Sequence, residues 1–253
     1  MTTPLIVGNW KMNTSLDTAL ALATATAAAS DAAGGSVDVG ICPPYPWIVP
    51  VANAVRGASL RVGAQDCAAT TDGAHTGDVS ATMIAGHCTF TLIGHSERRH
   101  QHHESDDIIH AKLGLALDAG LSVILCVGET KEERDAGREH DVVNAQLRTA
   151  LAGIDPDMAG RLTIAYEPVW SIGTGNAATD DDAAIMAREI RATLSELLPD
   201  TSATIRILYG GSANANNTVA FLAADGIDGL LVGGASLSAE TFAAMIESAA
   251  SQR

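Results

Sequence analysis

Lysine is scarce in this chain: Lys11, Lys112 and Lys131 are the only three in 253 residues. Fifteen basic residues face thirty acidic ones, leaving a formal net charge of −15. Such a field repels nucleic acid and anionic membrane surfaces, so neither is expected as a partner. It repels anionic metabolites as well, and a phosphorylated ligand would need local donors to overcome it. Cysteine is also sparse. Cys42, Cys67, Cys88 and Cys126 are widely spaced and form no CxxC pair, so reduced thiols in a cytoplasm are expected, not disulfides or zinc. There is no run of eighteen apolar residues to span a bilayer. The opening MTTPLIVGNWKMN lacks a basic segment followed by a long apolar one, so no signal peptide is expected there. No Pro/Gly/Ser-rich linker or charge block divides the chain, and residues 1–253 read as a single domain.

What is present is alternation. With 47% hydrophobic and 18% charged residues the composition is globular. Strands are predicted at 5–9, 37–42, 60–65, 89–94, 121–127, 161–167, 204–210 and 227–233. Several are continuous apolar runs, as in parallel strands buried on both faces. Helices are predicted at 16–32, 105–118, 130–151, 180–198 and 238–250, with capped starts at TSLD (14–17) and SAET (238–241). Eight strand-helix repeats point to a closed (β/α)8 barrel, with an open doubly wound sheet as the structural alternative. In both, ligands bind at the carboxyl ends of the strands. Asn9, Lys11, Gln65, His95, Glu167, Gly211, Ser212, Gly233 and Gly234 all sit at or just past strand ends.

Each motif has a plain reading beside its chemical one. YEPVWSIGTG (166–175) places Glu167 at the end of the sixth strand, as a salt-bridged mouth residue or as a general base beneath a lid. In the second case Pro168 stiffens one hinge, Gly173 and Gly175 free the other, and Trp170 anchors the loop. YGGSANANN (209–217) and LLVGGASL (230–237) could be tight turns. After the last two strands of a barrel, such loops frequently hold phosphate through backbone N–H groups. GNWKMN (8–13) puts Lys11 either in solvent or beside an anion. GHSERR (94–99) gives His95 as a structural residue or as the acid partner of Glu167. The stretch HQHHES (100–105) leaves one further reading: a metal site built from His100, His102, His103 and Glu104.

GNWKMN, VGAQD (62–66), GAHTGDVSA (73–81), GHSERR, ILCVGET (124–130), AYEPVWSIGTG, LYGGS and GLLVGGASL, in this order, resemble the triosephosphate isomerase family from about residue 4 to 248. The resemblance implies a TIM barrel and a metal-independent, cofactor-free isomerase of glycolysis and gluconeogenesis. It would interconvert dihydroxyacetone phosphate and D-glyceraldehyde 3-phosphate through an enediolate. Glu167 would move the proton and a neutral His95 would polarise the substrate oxygens. Lys11, with Asn9 beside it, would stabilise negative charge. Gly173, Ser212, Gly233 and Gly234 would hold the phosphate through backbone N–H groups. Glu97 would orient Lys11, and Cys126 would pack near the base. A homodimer is implied, with His75 and Thr76 on a loop that enters the partner subunit.

The chain departs from the family pattern in several places. His75 stands where an aromatic is usual, HQHHES replaces a stretch with Phe and Gly, Ser171 replaces Ala, Asn176 replaces Lys, and Asp66 replaces Asn. An altered dimer contact and altered lid kinetics are expected from these. An isomerase of a four-carbon ketose phosphate is the nearest alternative. A non-catalytic phosphate-binding barrel is more distant, because neither base nor electrophile is missing.

Overall fold

The computed structural model describes residues 2–172 and 178–252. Eight parallel strands close into one barrel in sequence order: β1 Leu5–Asn9, β2 Asp38–Cys42, β3 Arg61–Ala64, β4 Phe90–Ile93, β5 Ser122–Val127, β6 Leu162–Tyr166, β7 Arg206–Tyr209 and β8 Gly229–Val232. β1 pairs with β8 from Leu5↔Gly229 to Gly8↔Val232, which removes every sheet edge. The closed alternative holds, and the open sheet does not.

Alternation along the strands sorts the side chains into two apolar layers. Leu5, Val7, Cys42, Phe90, Leu92, Ile124, Cys126, Ala165, Leu208 and Leu231 fill the barrel interior. Their neighbours, among them Ile6, Ile41, Leu125, Ile164 and Leu230, pack outward against the helices. The interior is narrow, and glycine makes room for its one aromatic ring. A Cβ at Gly40 would lie 2.9 Å from Phe90 Cζ, and one at Gly63 would collide with the same ring. Phe90 thus fills the space that two missing side chains leave. On the outside, helix Leu16–Ala32 presents Ala19, Leu22, Ala23, Thr26, Ala27 and Ser30 to the barrel, small residues at helical spacing that allow close approach.

The eight predicted strands all occur, trimmed by up to two residues at an end. The first helix matches its predicted span, and Ser15, not Thr14, caps it by accepting from the Thr18 amide. The predicted helix 130–151 is two helices, Lys131–Asp135 and Glu139–Ala150, parted where Gly137 takes a positive φ of 67°. Helix Tyr45–Ala54, between β2 and β3, is not among the predicted spans. Its three prolines at or within the first six residues, counting the cap Pro44 with Pro46 and Pro50, mask the pattern. Among the described residues no helix is long and apolar enough to cross a membrane.

Candidate active site

The carboxyl ends of the strands open onto a cavity of about 420 Å³, lined by residues that include Asn9, Lys11, His95, Glu167, Ser212, Gly233 and Gly234. Glu167 follows β6 directly and is 2% exposed. Its Oε1 lies 3.0 Å from His95 Nε2, and its Oε2 accepts from the Ser96 amide at 2.8 Å. Gly210 permits this placement, since a Cβ there would come within 2.9 Å of Glu167 Cγ.

His95 caps the short helix Ser96–Gln101, and its Nδ1 accepts from the Glu97 amide at 3.2 Å. An imidazolium would carry a proton where that amide points. That acceptor role fits a neutral ring whose proton is on Nε2 and directed at Glu167. Burial also opposes charge on His95. The adjacent Glu167 carboxylate pulls the other way and raises its pKa in this arrangement. Burial favours the protonated acid at Glu167 as well. The His95 ring, the Ser96 amide and the Lys11 ammonium outweigh it and hold the carboxyl below its ordinary value.

Lys11 occupies a left-handed conformation at φ 51°, with its amide donating to Asn9 Oδ1 at 3.0 Å. Gln65 fixes it from the other side, its Nε2 donating to Lys11 O at 2.8 Å and to Cys42 O at 2.9 Å. The ammonium reaches Glu97 Oε1 at 2.7 Å. Gly233 lies beside the lysine, for a Cβ there would sit 3.4 Å from Lys11 Cε. The loop after β7 is tied to the segment after β6 by Ser212 Oγ, which donates to Ser171 O at 2.8 Å. Gly173 and Asn176 lie outside the described residues.

The start of that segment rests on Glu129, a fully buried carboxylate. Its Oε1 accepts from Trp170 Nε1 at 2.7 Å and from the Tyr166 hydroxyl at 3.1 Å, with Arg134 Nη1 at 3.3 Å. Burial raises the pKa of Glu129 despite these donors. Gln65, Ser96 and Glu129 were not singled out as site residues by the motif reading. Of the three, Gln65 was visible as a polar residue past a strand end. Cys126 lies inside the barrel with its thiol pKa pushed far up by burial, which suits packing and not nucleophilic attack.

The remaining histidines go elsewhere. His100 belongs to helix Ser96–Gln101, not to a loop, and the following helix begins at Asp106 with Ser105 as its cap. The Glu104 carboxylate is committed to Arg98 Nε at 2.8 Å and Lys112 Nζ at 2.6 Å. It is therefore withdrawn from any site shared with His102 and His103. His75 and Thr76 are exposed and line no part of the catalytic cavity.

A family profile described as triosephosphate isomerase matches residues 4–249. The chain belongs to the triosephosphate isomerase family. It is 44% identical to the triosephosphate isomerase of Hahella chejuensis over 97% of this chain and 98% of that protein. It is 46% identical to that of Acidiphilium cryptum, with 97% and 98% covered. With that of Chromohalobacter salexigens it shares 46%, over 98% and 100%. Triosephosphate isomerase relatives are thus matched along essentially their whole length. The loop, hinge and barrel segments described above all fall inside the matched region.

Proposed function

We propose that this chain interconverts dihydroxyacetone phosphate and D-glyceraldehyde 3-phosphate by proton transfer through an enediolate. The observation that carries the reading is the contact of Glu167 Oε1 with His95 Nε2 at 3.0 Å, set in a cavity shared with Lys11 and two glycine turns. A proton next to a carbonyl becomes removable when the oxygen that gains charge meets preorganised donors in a dry site. His95 Nε2–H is such a donor. An incoming carbonyl oxygen replaces Glu167 as its acceptor and thereby frees the carboxylate. Without that contact the burial of Glu167 is offset only by the Ser96 amide and Lys11, its pKa rises, and it becomes the stronger base that proton abstraction needs. His95 in turn loses the carboxylate that pulled its pKa up. Burial and the Glu97 amide then keep it neutral.

Lys11 supplies the one positive charge among the described lining residues of the cavity, oriented by Glu97 and Asn9. The turns at Ser212 and at Gly233 and Gly234 offer backbone N–H groups to the phosphate, and Gly173 is assigned the same role. Closure of residues 168–177 over the phosphate would exclude water and protect the enediolate from losing phosphate. The test is an assay with both trioses and with a four-carbon ketose phosphate, in the presence of a chelator. Rapid turnover of the trioses is expected. Preference for the longer substrate, or activity lost to the chelator, would overturn the reading.

A homodimer is part of the proposal. Met12, next to Lys11, is 95% exposed and Met83 is 62% exposed, apolar side chains better suited to an interface than to water. The loop carrying His75 and Thr76 projects from the same chain without touching its own cavity. Sedimentation should give twice the 26.0 kDa chain mass, and Met12→Glu should shift it toward the monomer with loss of activity. We also place the protein in the cytoplasm, where its four buried, unpaired cysteines stay reduced.

A further inference from the structure

At the opposite end of the barrel, where the strands begin, lies a second cavity of about 330 Å³. Three arginines line it, and Asp38 is the one carboxylate among its described lining residues. Arg61 is the first residue of β3, Arg206 the first of β7, and Arg161 precedes β6. In a chain of net charge −15, such a local excess of positive charge runs against the global balance.

Two of the three have structural work. Arg206 Nη1 meets Asp38 Oδ2 at 2.6 Å, joining strands that are not neighbours in the ring. Arg161 Nη1 donates to Leu117 O at 2.7 Å and Leu121 O at 3.3 Å, satisfying carbonyls at a helix end. Arg61 has no such duty. Its guanidinium stands 5.8 Å from the Phe90 ring centroid, and its Nε is buried without a hydrogen-bond partner. Burial lowers the Arg61 pKa, Asp38 supports its charge, and Arg206 opposes it. With its Nε buried without an acceptor and no carboxylate among the described residues in direct contact with the group, the Arg61 guanidinium carries an uncompensated charge that an anion against its outer nitrogens would offset.

We infer that this floor cavity binds a phosphoryl dianion, as inorganic phosphate or as the head of a phosphomonoester. Three guanidinium groups arriving from the starts of β3 and β7 and from the turn before β6 match a tetrahedral oxyanion, which accepts from several directions. A planar carboxylate would satisfy one fork and leave the others. Ser122 and Thr163 add hydroxyls to the wall. Asp228, the nearby acid below β8, is already held by Arg191 at 3.2 Å and by the Thr2 hydroxyl at 2.7 Å, so it does not cancel the cavity's charge. The layer of interior side chains around Phe90 separates this site from the catalytic mouth.

Equilibrium dialysis against inorganic phosphate at low ionic strength, paired with phosphate inhibition of the isomerase reaction, tests the assignment. The unmodified protein should retain two phosphates per chain and Arg61→Gln one. Turnover, KM and competitive inhibition by phosphate should be the same in both, since Arg61 is remote from the mouth. Should Arg61→Gln fail to fold, Ser122→Asp gives the same readout by placing a carboxylate in the wall. A single phosphate on the unmodified protein overturns the proposal, as does a second phosphate that survives in a folded variant. The inhibition constant reports the catalytic mouth separately, so the two sites fail or stand independently.

Discussion

Glu167 and Glu104 are both buried carboxylates facing basic groups; Glu104 lies at the end of the short segment that follows β4, and Glu167, past β6, meets the start of that segment at the Ser96 amide. Glu104 shares Lys112 with Asp66, whose Oδ2 lies 2.7 Å from the ammonium, while Arg98 bridges both acids at 3.0 Å and 2.5 Å. Two anions and two permanent cations neutralise one another, and every short contact is charge-assisted. Burial favours protonated Glu104, but the Lys112 and Arg98 contacts win and lower its pKa. Asp66 is raised, since its burial outweighs the same lysine. Glu167 instead faces a neutral imidazole and a backbone amide, with its cation, Lys11, already bound to Glu97. A carboxylate held by neutral donors can be released by a ligand that offers the same acceptor, whereas one held by two cations cannot. The difference in partners suits the base proposed at Glu167 and a structural role for Glu104.

Lys112→Met should break the contrast most severely. It leaves Asp66 and Glu104 with one cation between them, at a cost of about 3–5 kcal/mol in unfolding free energy. Denaturant titration measures this, and turnover per folded molecule should change little. Glu167→Asp should do the reverse. Withdrawing the carboxylate by one methylene should lower kcat by about 10²–10³, with the unfolding midpoint nearly unmoved. Near-normal turnover would remove Glu167 from the role of base. His95→Gln keeps a donor but misplaces it, and about a hundredfold loss is expected.

The smallest effect sharpens the comparison through pH. Because Glu167 is held below its ordinary value in the free protein, it is ionised above that lowered pKa and kcat/KM falls only as pH drops through it. Ser96→Pro removes the amide donor at a first-turn helix position where proline fits, and His95 before it already has extended ψ at 141°. The acid limb of kcat/KM should then move upward. An unshifted limb would show that the Ser96 amide does not hold the base.

Much of this was readable from sequence where local chemistry decides it. The strands announce themselves as apolar runs ended by glycine or a polar residue, because parallel strands covered on both faces tolerate little else. Asn9, Lys11, His95 and Glu167 were found by their place past those ends, and barrel closure brings them together. Helix Ser96–Gln101 escaped because SERRHQ has no apolar stripe; its start is set by His95 accepting from Glu97. Gln65 and Glu129 act through contacts 54 and 41 residues away, to Lys11 and Trp170, and no local pattern encodes such pairing. The Asp66–Lys112 pair is 46 residues apart and was visible only as a departure from the family pattern.

Phe90, seated against Gly40 and Gly63, makes the barrel a vessel with a stopper. Nothing passes along its axis, so what enters the mouth must leave by the mouth, and a product has to clear the entrance before the next substrate arrives. Traffic through a single doorway makes the residues around the mouth, not those around the stopper, the place where substrate and product are selected.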